Sequence, residues 1–95
     1  MRPGGRARPS LGPGGAPVSE VRYFAAAAEA AGSNGESLAA TTVGELRELM
    51  VERHGEELDR VLTRCSLLVN GVRGEADTVL AETDVVDVLP PFAGG

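Results

Sequence analysis

The chain has 95 residues, 42% of them hydrophobic and 3% aromatic, with nine basic and 14 acidic side chains for a net charge of −5. That length fits one small domain and excludes two. One cysteine, Cys65, and one histidine, His54, exclude a disulfide framework, a multi-cysteine zinc site and a Ser-His-Asp reading that needs several candidate histidines. The longest apolar stretch, around Ala25 to Ala28, falls far short of the roughly 18 to 20 residues a membrane-spanning helix needs, and no apolar segment follows the basic start as in a secretory signal. A soluble, cytoplasmic domain is expected.

Residues 1–17 hold five Gly, four Pro and three Arg, no acid, and Leu11 as the one large aliphatic side chain. Such a segment cannot bury enough apolar area to offset its chain entropy, so a disordered N-terminal arm is expected. Removing it leaves 78 residues with six Arg against 14 acids, a net −8, and no lysine anywhere. Direct nucleic-acid binding is disfavoured, because it needs basic charge to displace phosphate counterions, and basic protein partners fit better.

Val18 to Phe24 reads as a strand, with Val21 and Tyr23 on one face and Val18, Glu20, Arg22 and Phe24 on the other. Phe24 shares its face with charges, which predicts a partly exposed aromatic. The alanines from Ala25 to Ala31, interrupted by Glu29, predict a helix ended by Gly32. A short strand is expected around Glu36 to Ala40. Thr42 with Glu45 three residues later matches a capping box, and Val43, Leu46, Leu49 and Met50 continue at helical spacing to a stop at Gly55. Leu58, Val61, Leu62 and Cys65 repeat that spacing as a second helical segment. Leu67 to Val69 before Asn70-Gly71 predicts a strand turning through a two-residue type I′ hairpin. Asp84 to Leu89 predicts the last strand, with Val86 and Val88 on one face, and Pro90-Pro91 halts it. The order describes an α+β domain with one sheet packed against a helix, and no internal repeat is present.

Few residues offer chemistry of their own. His54 reads as a polar group at a helix C-terminus, and Cys65 as a small hydrophobe on an apolar stripe. Glu45, Glu48 and Glu52 read as a solvated helix face, and the region of Gly71, Arg73 and Gly74 has no phosphate-loop pattern. About 78 ordered residues bury only around 60% of their unfolded surface, leaving little room for an enclosed active site. The ending LPPFAGG stands out. From the composition of residues 18–95 a terminal Gly-Gly has a chance probability of about 1%. Pro90-Pro91 stiffens the exit from the strand, while Gly94-Gly95 could thread a channel too narrow for other residues and present its carboxylate to a partner. An ionised carboxylate is a poor acyl electrophile and must be activated by another enzyme. On the residues alone this tail and a frayed Gly-rich terminus stand level.

The opening VRYFAAAAEAAG, the capped helix from Thr42, the LLVNG hairpin and the ending VDVLPPFAGG, in this order over residues 18–95, resemble the MoaD family, the small subunits of molybdopterin synthase. The Gly-Gly is shared with the thiamine sulfur carrier ThiS and with ubiquitin. Pro-Pro before the end and the Tyr23-Phe24-Ala25 opening are similar to the molybdopterin branch. The resemblance implies a ubiquitin-like β-grasp fold over 18–95 with a flexible tail over 90–95. It implies a sulfur carrier whose Gly95 is adenylated by an E1-like, MoeB-like enzyme and converted by a sulfurtransferase to a thiocarboxylate. In a MoaE-like large subunit that sulfur is donated to precursor Z. The carrier would bind no metal or cofactor of its own beyond the transient AMP adduct and thiocarboxylate at Gly95. Gly94 would provide slenderness, Phe24 and Leu89 would form a hydrophobic contact with both partners, and Pro90, Pro91, Phe92 and Ala93 would line the entry of the tail. Nucleic acid and membrane are not expected partners. The chain departs from the family pattern at Val88-Leu89, where relatives carry an aromatic pair, at Thr83-Asp84, where they carry Gly-Asp, and in residues 1–17, which have no counterpart. A carrier for thiamine or cysteine synthesis and a non-covalent ubiquitin-like binding module are the alternatives.

Overall fold

The computed structural model describes residues 15–91. Residues 1–14 of the expected arm therefore lie outside the described residues, as do Phe92, Ala93, Gly94 and Gly95. Eight elements follow in order: β1 (Val18–Tyr23), α1 (Ala26–Ala31), β2 (Gly35–Ala39), α2 (Val43–His54), α3 (Glu56–Leu62), β3 (Ser66–Val69), β4 (Val72–Arg73) and β5 (Val85–Leu89). The strands form one mixed sheet in the order β2-β1-β5-β3-β4, in which β1 and β5 run parallel at the centre and the other pairs are antiparallel. The sequence-based strands and all three expected helical segments are present with ends shifted by a few residues at most, and the helices pack on the sheet as an α+β domain.

The period-two reading of the strands sets the layers. Ser19, Val21 and Tyr23 on β1 and Val86 and Val88 on β5 are buried, and they pack with Leu38, Leu46, Met50, Leu58 and Leu62 in one core. Fully burying a side chain such as Leu46 or Val86 contributes roughly 1.5–3 kcal/mol, so this short list dominates the stability. Ser19 is the exception within it: its hydroxyl is buried without a hydrogen-bond partner among the described residues.

The ends of α2 show how the backbone donors are satisfied. The Val43 and Gly44 amides donate to the carbonyls of Thr78 and Ala76 at 3.0 and 2.9 Å, and the Glu45 amide donates to Thr42 Oγ1 at 3.2 Å. The Glu45 carboxylate closes the capping box one residue early, accepting from the Thr41 amide at 2.7 Å and the Thr41 hydroxyl at 2.8 Å. Those two bonds hold the Glu45 carboxyl below its ordinary range, so this acid is part of the fold as well as of the solvated face. Gly44 lets the loop approach closely, since a Cβ there would sit 3.0 Å from the Ala76 carbonyl and the loop would have to give by a few tenths of an ångström.

Asn70 and Gly71 have φ of 51° and 87°, as a type I′ hairpin demands. The Asn70 side chain then extends the sheet, donating to Asp84 at 2.9 Å and accepting from the Val85 amide at 2.9 Å. Thr83, one of the departures from the resembled family's pattern, has a φ of 66°, and its amide donates to the Val18 carbonyl at 2.9 Å. The turn into β5 thus demands the conformation that glycine adopts freely and a β-branched residue resists.

Candidate functional site

The parallel pairing of β1 with β5 brings both chain exits to the same end of the sheet. Tyr23 pairs with Val88, so Phe24 and Leu89 are the next residues on adjacent strands, and the Phe24 amide donates to the Val88 carbonyl at 3.2 Å. Phe24 is 39% exposed and Leu89 is half-buried, which makes a shallow apolar edge where β5 ends. Behind it on the same open face, Arg22 makes a two-pronged ion pair with Asp87, Nε to Oδ1 at 2.6 Å and Nη2 to Oδ2 at 3.1 Å. Such a fork fixes the two central strands to one another beneath the apolar edge.

The chain reverses immediately after Phe24. Ala25 has φ 54° and ψ −127°, and the Ala27 amide donates to the Phe24 carbonyl at 3.1 Å, the geometry of a type II′ turn whose first central position favours glycine. Ala25 consequently starts α1 beside the β5 exit. There, Ala25, Ala26 and Ala27 face Val61, Arg60, Arg64 and Cys65 of the α3 region across a groove of ≈ 370 Å³ that Pro90 and Pro91 close at one end. Pro90 is buried and Pro91 exposed. Pro90 therefore anchors the base of the tail on its own domain, and the exposed Pro91 is the last described residue. Burial pushes the Cys65 thiol above its ordinary value, which favours its protonated form.

At the β1–β2 side of the sheet, His54 and Arg53 at the end of α2 converge with Tyr23 on Glu36 of β2. Tyr23 donates to Glu36 Oε2 at 2.6 Å, His54 Nε2 lies 2.5 Å from the same oxygen, and Arg53 Nε donates to Oε1 at 2.8 Å. The Tyr23 and His54 rings also meet edge to face, with centroids 5.8 Å apart. Burial opposes the charge on Glu36, but the three hydrogen bonds outweigh it and hold the carboxyl below its ordinary range. His54 thus has a structural role, tying α2 to the sheet. Among the described residues no cluster of His, Cys, Asp and Glu could hold a metal ion, and no helix is long and apolar enough to cross a membrane.

Of the residues singled out in the sequence, Phe24, Leu89, Pro90 and Pro91 are brought together at one end of the molecule. Phe92, Ala93, Gly94 and Gly95 follow them outside the described residues. Sequence reasoning missed the Arg22–Asp87 pair, which only the parallel register reveals, and the groove beside the tail base. The four-residue spacing of Arg60 and Arg64 on an otherwise acidic domain was the available signal for the latter.

The geometry agrees with what similar proteins are. A model of the ThiS family matches residues 21–95. Among solved structures, the chain is 28% identical to the Pyrococcus furiosus protein assigned as molybdopterin converting factor, subunit 1, covering 79% of this chain and 98% of that one with a TM-score of 0.73. It is likewise 28% identical to small archaeal modifier protein 1 of Haloferax volcanii, over 82% of this chain and 99% of that one, with a TM-score of 0.70. A third similar structure is the complex of subunits 1 and 2 of the molybdopterin-converting factor from Helicobacter pylori, at 29% identity, 82% and 99% coverage and a TM-score of 0.63. No curated protein matches the chain.

Proposed function

The chain belongs to the ThiS family, with the ubiquitin-like β-grasp fold, and from that premise we propose that it is the sulfur-donating small subunit of a molybdopterin synthase. At the coarser level it is a ThiS/MoaD-type sulfur carrier or a ubiquitin-like small modifier. The observation that supports the finer reading is the likeness to subunit 1 of the molybdopterin converting factors, within a family match that runs through Gly94-Gly95.

In this reading the Gly95 carboxylate attacks the α-phosphorus of ATP on an E1-like enzyme, releasing pyrophosphate and forming an acyl adenylate. Sulfide-level sulfur delivered by a sulfurtransferase displaces AMP and leaves a thiocarboxylate. The tail then enters a MoaE-like large subunit, where the sulfur passes to the pterin precursor and water restores the carboxylate. The division of labour suits a cytoplasmic chain of this size. Phe24 and Leu89 give the apolar contact, Pro90 fixes the direction of exit, Pro91, Phe92 and Ala93 lead into the partner, and Gly94 is thin enough for the channel. No metal or cofactor of the carrier is required. The Helicobacter pylori complex, whose subunit 1 is 29% identical to this chain, supports the choice of a large-subunit partner.

The identity to the archaeal modifier favours a second reading in which a protein amine, rather than sulfur, captures the activated Gly95. The experiment that separates the two incubates the chain with its cognate E1-like enzyme, ATP and a sulfur source and measures its intact mass. The carrier reading predicts exchange of one oxygen for sulfur at Gly95. Conjugates to other proteins without that exchange would instead mark a modifier.

A further inference from the structure

The groove between α1 and α3 has a chemical character that the rest of the domain lacks. Its floor is apolar, made by Ala25, Ala26, Ala27, Val61 and the two prolines, and Arg60 and Arg64 stand on its rim. Among the described residues the other cations of this acidic domain are mostly spoken for: Arg22 pairs with Asp87, Arg47 with Asp59 and Arg53 with Glu36. Arg60 and Arg64 have no ion-pair partner among the described residues, although Glu57 shares the rim. Two unpaired guanidinium groups four residues apart therefore give this groove, beside the tail base at Pro90 and Pro91, a net positive rim on an acidic domain. Ala25 adds a second observation. It holds its methyl group at the groove in a backbone conformation suited to glycine, a strain of the sort that collects at binding sites.

We propose that this groove is a docking surface for an acidic, partly apolar segment of the large subunit that receives the tail, its apolar side chain seated on the alanine and proline floor and its carboxylates held by Arg60 and Arg64. The proposal rests on the carrier reading, since it takes the tail-receiving large subunit as the occupant. Complementarity of charge selects an acidic segment, because arginine grips carboxylates in a fork and is enriched at binding hot spots. Continuity selects the same partner that takes the tail, because Pro90 and Pro91 belong both to the groove and to the tail base. A partner held at both the Phe24–Leu89 edge and this groove straddles the tail and fixes its direction of entry.

The test measures the affinity of the full chain for its cognate E1-like enzyme, and separately for the large subunit, by titration calorimetry at several salt concentrations. Arg60→Glu/Arg64→Glu should weaken binding to the large subunit by about tenfold or more and flatten its salt dependence. Arg60→Lys/Arg64→Lys should recover part of the loss, and Arg73→Glu, an unpaired arginine away from this groove, should leave affinity within about twofold. Circular dichroism melts confirm that each variant is folded. Equal binding of the large subunit by the reversed variant and the wild type, a loss confined to the E1-like enzyme, or an equal loss from Arg73→Glu, overturns the proposal. So does self-association of the chain that the reversal abolishes while enzyme binding stays unchanged, since the occupant would then be a second copy. The intact-mass readout at saturating enzyme keeps the two readings apart. Sulfur uptake by the wild type together with unaffected binding by the reversed variant overturns only the groove, whereas absence of sulfur uptake by the wild type overturns the carrier.

Discussion

Thr83 shows how one side chain can sit against the preference of its own backbone. Its φ of 66° lies in the left-handed region, where an L-residue is disfavoured by roughly 1–2 kcal/mol, and its branched Cβ makes the fit worse. The compensation is local: its hydroxyl donates to the Glu82 carbonyl, and Asp84 braces the turn by accepting from the Ala81 amide at 2.8 Å. Thr83→Gly relieves the strain but makes the unfolded chain freer, so the expected net gain is about 0.5–1 kcal/mol, read as a higher denaturant midpoint at unchanged slope. A lower midpoint would show that the hydroxyl contact outweighs the backbone strain. The sequence offered Thr83 only as a departure from a family pattern. The positive φ supplies the physical reason why glycine suits the position.

Among the elements, the decisive relation is the parallel pairing of β1 with β5. It carries the ends of two strands that are more than sixty residues apart to one edge, and so places Phe24 beside Leu89 at the tail base. With Phe24 39% exposed, Phe24→Asp should leave the melting transition nearly unchanged and weaken binding to the large subunit by about tenfold or more. Global unfolding of that variant would place Phe24 in the core instead. Much at this scale could be read from the chain alone. The alternation in VSEVRYF separated Val21 and Tyr23 from Phe24, the Thr42 and Glu45 pair located α2, and Asn70-Gly71 located the hairpin. What could not be read was long-range register. The Arg22–Asp87 fork and the seating of Pro90 against α1 and α3 depend on which strands lie side by side, which no local spacing encodes. The convergence of His54 on Glu36 was hidden for the same reason: it joins residues 18 apart on different elements.

For the whole molecule, the Tyr23–Glu36–Arg53–His54 cluster makes stability depend on pH in a definite direction. The Glu36 carboxyl is held below its ordinary value of 4.5, so its contribution is present above that pH and is lost as the pH falls through the lowered folded value. The Tyr23 phenol is pushed up, by burial first and then by its hydrogen bond to Glu36, so its contribution is present below its ordinary value of 10.0 and fades as the pH rises above it. Stability should be flat between these limits as far as these two groups determine it. Glu36→Gln should cost about 1–3 kcal/mol at neutral pH and make the acid limb shallower in denaturation measured from pH 3 to 7. An acid limb as steep as that of the wild type would assign it to other carboxylates. This rigid, acidic β-grasp body has a single proposed reacting group, its last residue, and the small size that leaves no room for an enclosed pocket is then suited to work in the pockets of others. The most direct measurement of that claim is the intact mass of the chain after incubation with its cognate E1-like enzyme, ATP and a sulfur source, alongside a chain extended by one residue beyond Gly95. The account predicts one oxygen exchanged for sulfur at Gly95 in the natural chain and no exchange in the extended one; an unchanged natural chain, or equal exchange in both, would contradict it.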